Sequence, residues 1–101
     1  MTFFKKPHAR DRAYRRLAAS KPCVLCGSTG TNAPHHPLGA EWNTGRAYKA
    51  CDYTVISLCH FHHLEYHKLT AGPWEEKYGR HADILADFLA RHPDLVAAQL
   101  R

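Results

Sequence analysis

Apolar and polar positions separate with helical spacing over residues 8–20. Ala13, Tyr14, Leu17 and Ala18 fall on one side, Arg12, Arg15 and Arg16 on the other, which predicts an amphipathic helix. Pro22 ends it, because the residue before a proline is pushed out of the α region. CVLCGSTG then sets two cysteines around two apolar residues, followed by Gly27 and Gly30, and predicts a knuckle turn. TNAPHHPL (31–38) reads as an extended segment, with Pro34 and Pro37 bracketing a histidine pair. A polar, glycine-containing loop is expected over 39–50. YTVISL (53–58) is rich in β-formers and predicts a second strand. CHFHHLEYHKL (59–69) runs without Pro or Gly as a helix, and Gly72-Pro73 is the expected break. A short helix at 73–78 and a longer one at about 80–91 follow. The longer one carries Ile84, Leu85, Phe88 and Leu89 as its apolar stripe, opposite Asp83, Asp87 and Arg91. His92-Pro93 stops it, and 94–100 forms a last helical turn or two.

This order predicts a single α+β domain over 1–101: a basic N-terminal helix (1–21), a two-strand, one-helix core (22–69) and a helical tail (73–101). There are no repeats and no low-complexity segments. No apolar run approaches the roughly 18 residues of a membrane span. The N-terminus lacks an apolar stretch of signal-peptide length. The expected compartment is therefore the cytoplasm, where disulfides are rare and no membrane partner is implied.

Net charge is +5, and residues 1–21 hold seven of the 14 Lys and Arg (Lys5, Lys6, Arg10, Arg12, Arg15, Arg16 and Lys21) against one acid, Asp11. That asymmetry suits a polyanion, nucleic acid before membrane, although a solvated helix face fits the same charges.

Four cysteines and nine histidines carry the chemistry. Cys23 and Cys26 form a C-x2-C; Cys59 and His62 form a C-x2-H. In a reduced compartment this Cys3His set predicts one structural Zn2+, closed by four protein ligands. Structural zinc supplies on the order of 10 kcal/mol of apparent binding energy, which a core this small needs. Cys51 is left over, and it stands as an alternative fourth ligand to His62. On the second helix His63 and His67 are i, i+4 and share a face, about 40–100° around from Cys59 and His62. His35 and His36, adjacent on an extended segment, point to opposite faces. One of them can join His63 and His67 on a metal with open positions, while the other acts as base. The competing reading is a second structural zinc, or histidines packed for hydrogen bonding.

The run C23-V-L-C26, P34-H35-H36-P37 and V55-I-S-L-C59-H-F-H62-H63-L-E-Y-H67 resembles the zinc-knuckle HNH endonucleases, the His-Me finger or ββα-metal nucleases. More closely, it is similar to the phage and prophage Ref-like recombination nucleases. These also carry a basic helix before the knuckle and a "YG" segment after the motif, here Lys77-Tyr78-Gly79-Arg80. The resemblance implies a zinc-stapled ββα-metal core over 22–69 and a bacterial, phage- or prophage-encoded setting. It implies His36 as general base, with His35, His63 and His67 holding a catalytic Mg2+ or Mn2+. Imidazole ligands by type favour Zn2+ or Ni2+. The family's middle Asn, which orients the base, is replaced here by Thr54; Asp52 or a backbone carbonyl is an alternative. The expected reaction is DNA phosphodiester hydrolysis with low sequence specificity, the backbone being held by Lys5, Lys6, Arg12, Arg15, Arg16 and Lys68.

A homodimer would explain double-strand cuts, and dependence on a recombinase filament is implied only by the resemblance. The main rival is a non-catalytic zinc module that binds nucleic acid, which gives no reason for His35, His36, His63 and His67 together. A thiol redox protein lacks its βαβ context. A deaminase lacks the H-x-E that should precede Pro22-Cys23-x-x-Cys26.

Overall fold

A computed structural model describes residues 10–38, 42 and 50–100. Lys5, Lys6 and most of the expected loop at 39–50 lie outside the described residues. The order is α1 (Arg12–Ala19), β1 (Ala33–His35), a 3-10 turn (Asp52–Thr54), β2 (Ile56–Leu58), α2 (His60–Leu69), α3 (Ala71–Tyr78), α4 (His81–Arg91) and α5 (Pro93–Gln99). The described residues thus form a small α+β unit of five α-helices and a two-stranded antiparallel sheet, pairing Ala33 with Leu58, Pro34 with Ser57 and His35 with Ile56. No described helix is long and apolar enough to cross a membrane.

Asp11 starts α1 by accepting the Tyr14 N–H at 2.9 Å, the usual satisfaction of an orphan donor at a helix N-cap. Of the apolar side predicted for α1, Tyr14 and Ala18 sit in the core and Leu17 is half-buried, whereas Ala13 is exposed with Arg12 and Arg16. α1 packs on both strands and on α5; α2 packs on both strands and on α3; α4 packs on β2 and α5. Ile56, Ser57 and Leu58 are accordingly all buried. The polar member of that strand is satisfied, since the Ser57 Oγ–H donates to the Lys21 carbonyl at 2.8 Å. Ser57's own carbonyl accepts the Val24 N–H, tying the cysteine knuckle to the sheet.

Three boundaries depart from expectation. β2 begins at Ile56 rather than 53, because the Thr54 N–H and hydroxyl both donate to the Cys51 carbonyl and close a 3-10 turn. The break between α2 and α3 falls at Thr70, whose φ of 70° is left-handed, rather than at Gly72-Pro73. Pro73 instead sits in the first turn of α3, where its missing N–H has no helical partner to lose. The expected last turn or two is a helix, α5, opened by Pro93 at its first position. The aromatic centre lies between α2 and α3: Trp74 is fully buried, 5.1 Å from the Tyr66 ring and 5.4 Å from Tyr78.

Candidate functional site

The knuckle and the start of α2 bring Cys23, Cys26, Cys59 and His62 together, with one ligand atom from each inside 4.8 Å of all the others. Gly27, at φ 74°, allows the turn to close, and its N–H reaches the Cys23 carbonyl at 2.8 Å. The Sγ atoms of Cys26 and Cys59 are 3.8 Å apart, and His62 Nδ1 lies 3.1 Å from Cys59 Sγ and 3.8 Å from Cys23 Sγ. A tetrahedral ion with metal–sulfur bonds of about 2.3 Å would separate its sulfurs by about 3.8 Å. The cluster therefore fits a structural metal. Ser28 hydrogen bonds lower the Cys26 thiol to about 6, whereas burial pushes Cys23 up. Cys51, the alternative ligand, is buried in the segment before the 3-10 turn and is not in this set.

On the other flank of α2, the His35 ring lies 5.3 Å from His63 and 6.4 Å from His67, and it packs on Tyr66 at 4.0 Å. The Nε2 atoms of His63 and His67 face each other at 3.3 Å. His35 is 3% exposed, and its Nε2 has no hydrogen-bond partner. Burial, then the neighbouring histidines led by His81, push its pKa down to about 2, so the ring is neutral with a lone pair to offer. Burial also lowers His63. Among the described residues, the Cys3His set is the one group of three or more ligand atoms converging within 4.8 Å. The three histidines are brought together as rings without that convergence. His60 is exposed, as expected.

His36 turns toward the 3-10 turn, where its Nε2 lies 2.8 Å from Asp52 Oδ1. Thr54, of which an orienting role was expected, is buried with its hydroxyl donated to the Cys51 carbonyl at 2.6 Å. Thr54's carbonyl accepts the Nε2–H of buried His81 at 2.8 Å. His81 was not singled out by the sequence; nothing in its local pattern separates it from the other histidines. Asp52 also accepts the Asp11 N–H at 2.6 Å, an ion pair from Arg15, and Arg10 Nη1 at 3.4 Å.

Arg15, expected to hold the DNA backbone, is partly exposed and pairs with Asp52. Arg12 and Arg16 are exposed, and with Arg15, Ala19 and Pro34 they line a shallow concavity of about 220 Å³ beside β1. Lys68 is exposed on α2, next to His67, on a second concavity that includes Phe61 and Leu64.

Comparison with known proteins places the chain in a family. It belongs to the family described as "Protein of unknown function (DUF968)", whose profile matches residues 1–95. It is similar to the "Uncharacterized protein YdfU" of Escherichia coli (strain K12), 34% identical over 93 residues. That match covers 89% of this chain and 26% of the relative, so the chain spans about a quarter of that protein's length. No solved structure matches.

Proposed function

We propose that this member of the family is a metal-dependent endonuclease of the His-Me finger kind. In this reading it hydrolyses DNA phosphodiester bonds with little sequence preference, in phage or prophage recombination or DNA processing. One observation carries the reading. The β1–β2–α2 order sets His35 of the strand against His63 and His67 of the helix, whose Nε2 atoms are 3.3 Å apart. Two imidazole nitrogens so placed share either one hydrogen or one cation. The orphaned Nε2 of His35 favours the cation, since leaving a buried polar atom unpaired costs about 1–3 kcal/mol.

His35, His63 and His67 would hold the divalent ion, Mg2+ or Mn2+, which supplies charge stabilisation to the scissile phosphate and the leaving oxygen. His36 takes the proton of the attacking water. Arg12, Arg16 and Lys68 neutralise backbone phosphates, which gives salt-sensitive, sequence-blind binding. Cys23, Cys26, Cys59 and His62 suit a structural Zn2+ that fixes the knuckle to the first turn of α2, so that the histidines of α2 keep their place beside β1.

The test is incubation of the purified protein with supercoiled and single-stranded DNA, with Mg2+ or Mn2+, beside metal-free and His36→Ala controls. Metal-dependent nicking is expected, reduced about 10²–10⁴-fold by His36→Ala with the fold intact. A folded, metal-replete protein that leaves all DNA uncut overturns the proposal. A non-catalytic zinc module binding nucleic acid would then stand. That second reading draws on the three histidine nitrogens not converging as the Cys3His set does.

A further inference from the structure

We propose that the outer face of α2 binds an unpaired nucleobase: Phe61, with Leu64 beside it, is the stacking platform, and Lys68 meets a phosphate of the same strand. The binding stands whether or not the protein cuts; only its consequence for cleavage rests on the nuclease reading.

The packing of α2 leaves this face unused. Phe61 is 68% exposed and Leu64 52%, neighbours on the helix at i, i+3. Tyr66, the residue that α2 buries in the core, lies about 140–160° around the helix from both. With His67 and Lys68 they line a concavity of about 530 Å³, within the range that small-ligand sites occupy.

The charges around it narrow the occupant. Glu65 borders the concavity, but its two oxygens accept the Tyr78 O–H and the Lys77 ammonium of α3. The exposed positions of α2 (His60, Phe61, Leu64, His67 and Lys68) hold no acid. The face is apolar with a cationic end, and its complement is an anion that carries a flat apolar surface. A nucleic-acid strand meets both demands, because every base has a π-face and every nucleotide a phosphate. In a duplex the base faces are covered by their neighbours, so an unpaired base is the one that can lie on Phe61. A second copy of the chain would bring the same cation and no acid to answer it.

The platform is held in place and lies beside the histidine cluster. The Phe61 ring stands at 89° to that of His62, 5.1 Å away, and His62 belongs to the Cys3His set. Lys68 is two turns on, about 10 Å along the axis, so one short stretch of strand reaches both. His67 borders the same concavity, and its Nε2 faces that of His63 at 3.3 Å. A strand lying here runs past the proposed divalent ion. In the nuclease reading the stacked nucleotide then neighbours the scissile phosphate, and the favoured substrate is unpaired DNA.

The test is fluorescence anisotropy of a labelled oligothymidylate and of a blunt duplex of the same length, without added divalent metal so that neither is cut. Phe61→Ala should weaken oligothymidylate binding about 5- to 100-fold, the worth of one stacked base, and leave duplex binding unchanged. Phe61→Trp should keep the affinity, and its added indole should be quenched by the strand. Phe61→Leu, apolar but without a π-face, should behave as Phe61→Ala. Residue 61 is exposed, so thermal melts should show all three variants folded. Equal losses on strand and duplex, wild-type affinity in Phe61→Leu, or an added indole that the strand does not quench overturns the inference. So does a Phe61→Ala change that turns a dimer into a monomer with strand affinity unaltered, which would give the face to a second copy. Wild-type protein that binds the strand through Phe61 and cuts no DNA overturns the nuclease reading alone. Protein that cuts DNA while its strand affinity ignores residue 61 overturns this inference alone.

Discussion

Burial by itself would raise the Asp52 carboxyl; the hydrogen bond to His36, then those from the Asp11 N–H and Arg15, outweigh it and hold the group below its ordinary 3.8. A carboxyl depressed by folding contributes stability that is fully present above its unfolded pKa and lost as pH falls through the folded one. Urea midpoints of the wild type and Asp52→Asn, compared at each pH, should therefore differ by a margin that does not shrink between pH 7 and 5. The margin should begin to close only below about 3.8. A margin that closes between pH 7 and 5 would place the carboxyl above its ordinary value and sink this account. The groups facing Asp52 (His36, Arg10, Arg15 and Asp11) come from β1's end and from α1. Counting back from Cys59 to a family position gave Thr54, whereas side-chain direction decided the contact. The 3-10 turn folds residue 54 back on Cys51 and leaves residue 52 facing His36. Spacing along a chain cannot report a turn whose hydrogen bonds are its own. The Cys3His set was legible for the opposite reason: each C-x2-C or C-x2-H pair is local, and two such pairs need only one close approach to bring four ligand types together.

At the scale of elements, α1 divides its arginines between two tasks. Arg15 is bound to Asp52; Arg12 and Arg16 are exposed beside Pro34. In the non-cleaving His36→Ala background, Arg12→Ala and Arg16→Ala should each weaken DNA binding and reduce the slope of log affinity against log salt by about 1. Their thermal midpoints should stay put. Arg15→Ala should instead lower the thermal midpoint, because it leaves a buried carboxylate short of a charge. Fluorescence anisotropy across a salt series, with thermal melts alongside, separates the two behaviours. If all three variants lose the same slope at constant stability, the division is wrong. α1 and α4 were readable because one face of each is apolar and buried, whereas α2 hid its orientation. Its inward positions are taken by metal-ligand types, Tyr66 is its one fully buried residue, and Phe61 and Leu64 lie exposed. A helix that half-buries His62 and His63 while leaving Phe61 and Leu64 exposed defeats a reading by hydropathy. The α2–α3 break falls two residues before Gly72-Pro73 because Thr70, neither glycine nor proline, adopts the positive-φ backbone.

For the whole molecule the question is what α2 would lose without a metal on the Cys3His set. The apolar core joins α1, β2, α2, α3, α4 and α5 through residues such as Tyr14, Ile56, Leu58, Tyr66, Trp74, Leu85, Phe88 and Leu95, while the knuckle contributes only Cys23 to the fully buried set. Among the described residues the knuckle is tied further by the packing of half-buried Val24 and Leu25 on that core, the Val24 N–H on Ser57, the Asn32 side chain on Lys21 and Ser28, and the four candidate ligands. Those ligands join points 33 residues apart, from Cys26 to Cys59. An apparent binding energy on the order of 10 kcal/mol is comparable to the whole stability of a small domain. Two metal dependences should then separate by affinity. Removing loosely bound Mg2+ or Mn2+ should stop nicking, leave the circular dichroism unchanged, and be reversed by adding the ion back. A chelator strong enough to take zinc from thiolates should unfold the chain or lower its thermal midpoint steeply, with one zinc released per chain and the fold recovered on adding Zn2+. Cys23→Ser should reproduce the second result and never the first. A zinc-depleted protein that melts where the intact one does would show that the apolar core stands without the staple, and the division between a structural and a working metal would fall with it.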